Sequence, residues 1–139
     1  MIMTRTLLLL LLSVLSPTYS SHPAPTRWAW FRASSVINDW SIDKGQADVT
    51  IEGQAFKATL WDATDPKFAR LSLTGSISRN VVSVKATVNN SDYEPYSTSG
   101  RLRRLCWEEG GREAILLSSG FGVIGLVREI PAANCRGLP

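Results

Sequence analysis

The chain has 139 residues, one histidine, two cysteines and a formal net charge of +3. That length suits one ordinary domain, the charge is too mild to argue for a nucleic-acid surface, and a lone histidine excludes a histidine-rich metal site. Beyond the N-terminus no apolar run approaches the roughly 20 residues that a membrane-spanning helix requires.

Residues 1–6 carry one positive charge, Arg5, and residues 7–15 form a short apolar run. Pro17 ends any helix there, because it lacks an N–H and clashes with the preceding turn. Small residues follow at Ser16, Thr18, Ser20 and Ser21. A charged start, a short apolar stretch and a small-residue exit predict a secretory signal peptide, cut after Ser20. The expected organisation is a signal peptide over residues 1–20, an N-terminal lead, partly flexible, over residues 21–39, and a single β domain over residues 40–139. The product is expected outside the cytoplasm, in a periplasm or the extracellular medium.

Within the lead, the aromatic and basic segment starting at Arg27 has the composition of a first strand, and a Ser/Asn/Asp stretch suited to a turn precedes Trp40. From Ala47 onward apolar and polar residues alternate with period two, the pattern of strands with one buried face. Val49 and Ile51 share a face; after a turn at Gly53-Gln54, so do Phe56, Ala58 and Leu60. Residues 62–66 read as a loop, with Pro66 barred from ladder bonding. Leu71 and Leu73 alternate with polar neighbours up to Gly75. Val82, Val84, Ala86 and Val88 give the clearest strand face, followed by a turn at Asn89-Asn90-Ser91-Asp92. A long strand over residues 96–107, interrupted at Gly100, leads through a glycine-containing turn at residues 108–112 to two last strands.

These seven or eight short strands predict an all-β fold, a small antiparallel meander. Consecutive short connections favour an up-and-down order, and a closed barrel is preferred over a sandwich because closure removes exposed edges. One irregularity stands out. If Leu102 faces inward, strict alternation buries Arg104 and exposes Leu105, so a β-bulge near Arg103-Arg104 is expected to return Leu105 to the core. In an oxidising compartment Cys106 and Cys135 are expected to form one disulfide, tying residues 131–139 to the strand that carries Cys106.

Chemistry is sparse. His22 lies in the lead, where a mobile residue does not hold the geometry of a nucleophile–base pair, and paired cysteines are not nucleophiles. Among the carboxylates, Glu94, Glu108, Glu109 and Glu113 are candidates for acid–base work on a polysaccharide, which requires two of them close together. No cofactor or metal is implied. Arg101, Arg103 and Arg104 form the densest basic cluster and suit a carboxylate or phosphate if they share a face. Of the five tryptophans, Trp61 and Trp107 fall where contact anchors are found: Trp61 shares the outer side with Lys57 and Thr59, and large aromatics at surfaces anchor partners.

The order Ser99-Gly100, then Trp107, then Gly111-Arg112-Glu113-Ala114-Ile115-Leu116 resembles a stretch of the small periplasmic inhibitors of C-type lysozyme. The resemblance covers a small part of the chain. It departs from that pattern where Arg101-Leu102 stand in place of an aromatic and where the final cysteine falls late, and no residue role is carried over from it.

The leading expectation is a small exported β-barrel that binds rather than catalyses, as an inhibitor, an adaptor or a carrier of a small apolar ligand, with Trp61, Trp107, Arg101, Arg103 and Arg104 as its contact residues. The alternatives are a carboxylate enzyme acting on envelope or extracellular polysaccharide and a structural envelope protein.

Overall fold

In the computed structural model, the described residues are 24–36, 39–89, 92–120 and 122–135, with the backbone alone described for 34–36 and 39–42. The predicted signal peptide and His22 lie outside them. Eight antiparallel strands follow one another: β1 (Thr26–Val36), β2 (Asp39–Glu52), β3 (Ala55–Trp61), β4 (Ala69–Ser78), β5 (Val81–Val88), β6 (Tyr96–Trp107), β7 (Gly110–Ser119) and β8 (Gly122–Pro131). A single helical turn, α1 (Ala132–Cys135), ends the described chain. Each strand pairs with its sequence neighbour, and β1 pairs with β8 from Ala29↔Val127 to Ala33↔Val123. The sheet is thus a closed up-and-down barrel. Its first strand lies inside residues 21–39, so the barrel begins within the segment read from sequence as a lead, ahead of residue 40.

Alternation decides which side chains enter the barrel. On β5, Val82, Val84 and Ala86 are buried while Val81, Ser83 and Lys85 are exposed. The same parity places Phe56, Ala58 and Leu60 of β3 and Leu71 and Leu73 of β4 inside, with Trp28 and Trp30 of β1, Ile115 and Leu117 of β7, and Ile124 and Leu126 of β8. These residues form one continuous cluster filling the axis, as expected for an eight-stranded barrel, whose interior is just wide enough for its own side chains. Two inward glycines let the wall curve. A Cβ at Gly75 would run into the Ser83 carbonyl, and one at Gly100 into the Leu116 carbonyl. Gly100 therefore does not interrupt β6; it allows a neighbouring backbone to approach.

The even-numbered strands end in tight turns. In β4–β5 the turn residues Arg79 and Asn80 both have positive φ, 52° and 64°, the twist that matches a two-residue hairpin. These turns, with α1, mark the turn end of the barrel. The opposite, loop end carries the β3–β4 and β5–β6 connections. Cys106 and Cys135 are disulfide-bonded across a sequence separation of 29, and Cys135 is buried against β7, where Gly111 leaves room for its sulfur. Chain-entropy reasoning assigns such a loop about 3.6 kcal/mol.

The bulge expected near Arg103-Arg104 is absent. β6 and β7 stay in register from Ser99↔Ser118 to Trp107↔Gly110, leaving Leu105 68% exposed. Arg104 takes the inward position because a buried acid, Glu113, faces it. A register shift lies instead between Leu60 and Trp61, where the pairing steps from Leu60↔Leu71 to Trp61↔Ala69. Among the described residues no helix is long and apolar enough to cross a membrane.

Candidate functional site

Both ends of the apolar axis carry charge. At the turn end, three neighbouring strands project inward at one level: Arg104 of β6, Glu113 of β7 and Arg128 of β8, paired Arg104↔Glu113 and Glu113↔Arg128. The Glu113 side chain is 3% exposed; its Oε1 accepts a bond from Arg128 Nη2 at 2.7 Å, and its Oε2 lies 3.4 Å from Arg104 Nη2. The Arg128 guanidinium also lies 4.9 Å from the centre of the Trp28 ring, a cation–π distance.

At the loop end, Asp43 accepts from Arg32 at 2.9 Å and from Arg70 at 3.0 Å, and Arg70 reaches Asp62 at 3.6 Å. Asp62 accepts from the Thr64 hydroxyl at 2.7 Å and the Thr64 amide at 2.8 Å. Those bonds, the hydroxyl first, hold its carboxyl below the usual range despite some desolvation, with Arg70 adding to the effect. Burial pushes the Tyr96 hydroxyl above its ordinary value, partly opposed by Arg32. The Trp30 indole donates to the Trp61 carbonyl at 2.8 Å, fastening the β3–β4 connection over the barrel wall.

The outer face of β6 and β7 is different. Arg101, Arg103, Leu105 and Trp107 alternate outward along β6, all exposed, with Leu116 beside Arg101 and Arg112 beside Leu105 on β7. Leu116 is 51% and Trp107 38% exposed. Arg112 binds Glu129 on β8 at 2.7 Å and sets its guanidinium 6.0 Å from the Trp107 ring. This face thus carries Leu105 and Trp107 as neighbours on β6 and Leu116 four ladder positions away, with arginines between and beside them.

Of the contact residues expected from sequence, Trp107, Arg101 and Arg103 come together on this face. Arg104 points into the barrel and forms an ion pair. Trp61 lies away from them, on β3, half-buried, with its indole donating to Asp48 at 3.2 Å. The candidate carboxylates do not assemble. Glu94 sits in the β5–β6 connection at the loop end, Glu108 and Glu109 in the β6–β7 turn at the other, and Glu113 is held by two arginines. Sequence reasoning missed that Arg128 shares Glu113 with Arg104 and packs on Trp28. The available signal was a charged residue at an inward position of β8, two after Leu126.

The chain matches no known protein family, and neither the curated proteins nor the solved structures contain a significant match to it.

Proposed function

We propose that the domain is a non-catalytic binding module of an exported protein, and that it holds a partner protein on the outer face of β6 and β7. One observation carries this reading: Leu105 and Trp107 stand exposed next to each other on the outer face of β6, with Arg103 and Arg112 beside them, and Leu116 is exposed further along the same face beside Arg101. Exposed aliphatics are ordinary when scattered, but contiguous ones mark contact surfaces, and tryptophan with arginine is the pairing enriched where binding energy concentrates. Arg101 and Arg103, which make no ion pair among the described residues, favour a partner with an acidic rim.

The barrel interior supports a surface partner over a carried ligand. Its axis is occupied by tryptophan, phenylalanine and branched side chains exposed by only a few per cent, and ion clusters stand at both ends. The disulfide fits an oxidising compartment. Native mass spectrometry of the protein purified gently from its own host tests the reading. A second polypeptide retained at fixed stoichiometry is the expected result; a chain that flies alone under conditions that preserve known weak complexes overturns it.

A further inference from the structure

The turn end of the barrel is one acceptor short. Among the described residues the ion pairs of Arg104 and Arg128 go to a single shared carboxylate, Glu113, so the cluster retains one positive charge. Two of its donors have no hydrogen-bond partner: the Trp28 indole Nε1 and the Arg128 Nε, both shielded from solvent. Trp28 as a residue is only 3% exposed. Buried polar groups are nearly always paired, and an orphan calls for a specific cause. Beside these donors lies a cavity of about 170 Å³ lined by Ala24, Thr26, Trp28, Val49, Ile51 and Arg128.

We propose that this cavity binds one carboxylate group, which accepts from Arg128 Nε and the Trp28 indole N–H and balances the excess charge beside Glu113. The chemistry selects the ligand. Both orphan groups are donors, so the ligand must be an acceptor; the net charge makes an anion preferable; and charge-assisted bonds from a guanidinium to a carboxylate are strong and directional. Val49 and Ile51 supply the apolar part of the lining. Both nitrogens are shielded from solvent, so binding requires the Arg128 side chain to pivot about its Nη2–Glu113 bond. The site does not depend on the contact surface proposed on β6 and β7.

The test follows the five indole N–H resonances in a proton–nitrogen NMR spectrum. Sodium acetate is titrated into the full mature chain, with sodium chloride at matched ionic strength as the control. Acetate is expected to displace the Trp28 Nε–H resonance downfield, saturably, and chloride to leave it in place. A variant that cannot be mistaken for misfolding completes the test. Ile51 is 39% exposed and lines the cavity, so Ile51→Glu places a tethered carboxylate in it. That variant is expected to show the displaced resonance without acetate and no further response, whereas Ile51→Gln titrates like the native chain. An equal response to chloride, or an Ile51→Glu variant that still titrates with acetate, overturns the proposal. A capped peptide carrying one glutamate separates the sources: saturation by peptide as well as acetate assigns the site to a protein side chain, and saturation by acetate alone to a small free acid.

Discussion

Arg104 and Glu113 face each other directly across the β6–β7 ladder, inside the barrel, with Nη2 and Oε2 3.4 Å apart. That pairing sets the parity of β6. With Arg104 turned in, Arg101, Arg103, Leu105 and Trp107 must turn out, because successive side chains alternate across the sheet. An internal ion pair thereby produces the exposed strip to which a binding role is assigned here.

Removing Glu113 tests that dependence. Glu113→Ala leaves two guanidiniums, each more than a quarter exposed, facing each other at the turn end, and the loss should lie between that of a surface pair, about 1 kcal/mol, and that of a fully buried one, about 3 kcal/mol. Urea unfolding should show a midpoint lowered accordingly, with the slope unchanged. A loss below about 0.5 kcal/mol, the size of an ordinary surface substitution, would mean that the pair does not set the strand's parity.

Two glycines should respond differently to alanine. Gly100→Ala drives a Cβ into the Leu116 carbonyl of the barrel wall, which calls for overpacking losses of about 1–3 kcal/mol and a barrel that no longer closes as tightly. Gly53, at φ 61° in the β2–β3 turn, has open space around it. Its replacement costs only the left-handed conformation, about 1 kcal/mol. Thermal melts of the two variants should rank them in that order.

Reduction should separate stability from architecture. The disulfide ties α1 to the end of β6 and takes no part in the ladder, so dithiothreitol should lower stability by up to about 3.6 kcal/mol while the far-ultraviolet circular dichroism of the sheet persists. Loss of the β signal at temperatures where the oxidised protein is folded would show that the sheet depends on the bond.

Asp62 contributes a stabilisation that depends on acid. Its folded carboxyl titrates below the ordinary aspartate value, so the contribution is complete above that ordinary value and is lost as pH falls from there through the lowered folded pKa. Thr64→Val removes the hydroxyl bond, the largest cause, and keeps the amide bond. The Asp62 titration followed by carboxyl NMR should move upward, toward the ordinary value. An unmoved titration would assign the effect to Arg70 and the backbone instead.

The barrel was legible where one face is apolar throughout. Val82 to Val88 announce their own strand, and Phe56, Ala58 and Leu60 do the same. The pairing of Cys106 with Cys135 followed from there being no other cysteine to choose. Arg104 and Leu105 were misplaced because an inward arginine is acceptable only with a partner, and Glu113 becomes its partner through a register that local alternation does not contain. Closure was expected because it removes exposed edges, but its seam was not legible: the segment holding Trp28 and Trp30 pairs with β8, nearly a hundred residues away in the chain. Trp61 was read on the outer side without sign of the Asp48 carboxylate that engages its indole.

The contact surface is tested most directly by comparing companions. The native protein and three variants, Leu105→Asp, Trp107→Ala and Trp61→Ala, are expressed in the same host, purified gently and weighed intact by native mass spectrometry. The account predicts a retained partner with the native chain and with Trp61→Ala, and its loss with Leu105→Asp and with Trp107→Ala while all four remain folded. A partner that stays bound to Leu105→Asp and Trp107→Ala, or departs only with Trp61→Ala, would contradict a contact surface on β6 and β7.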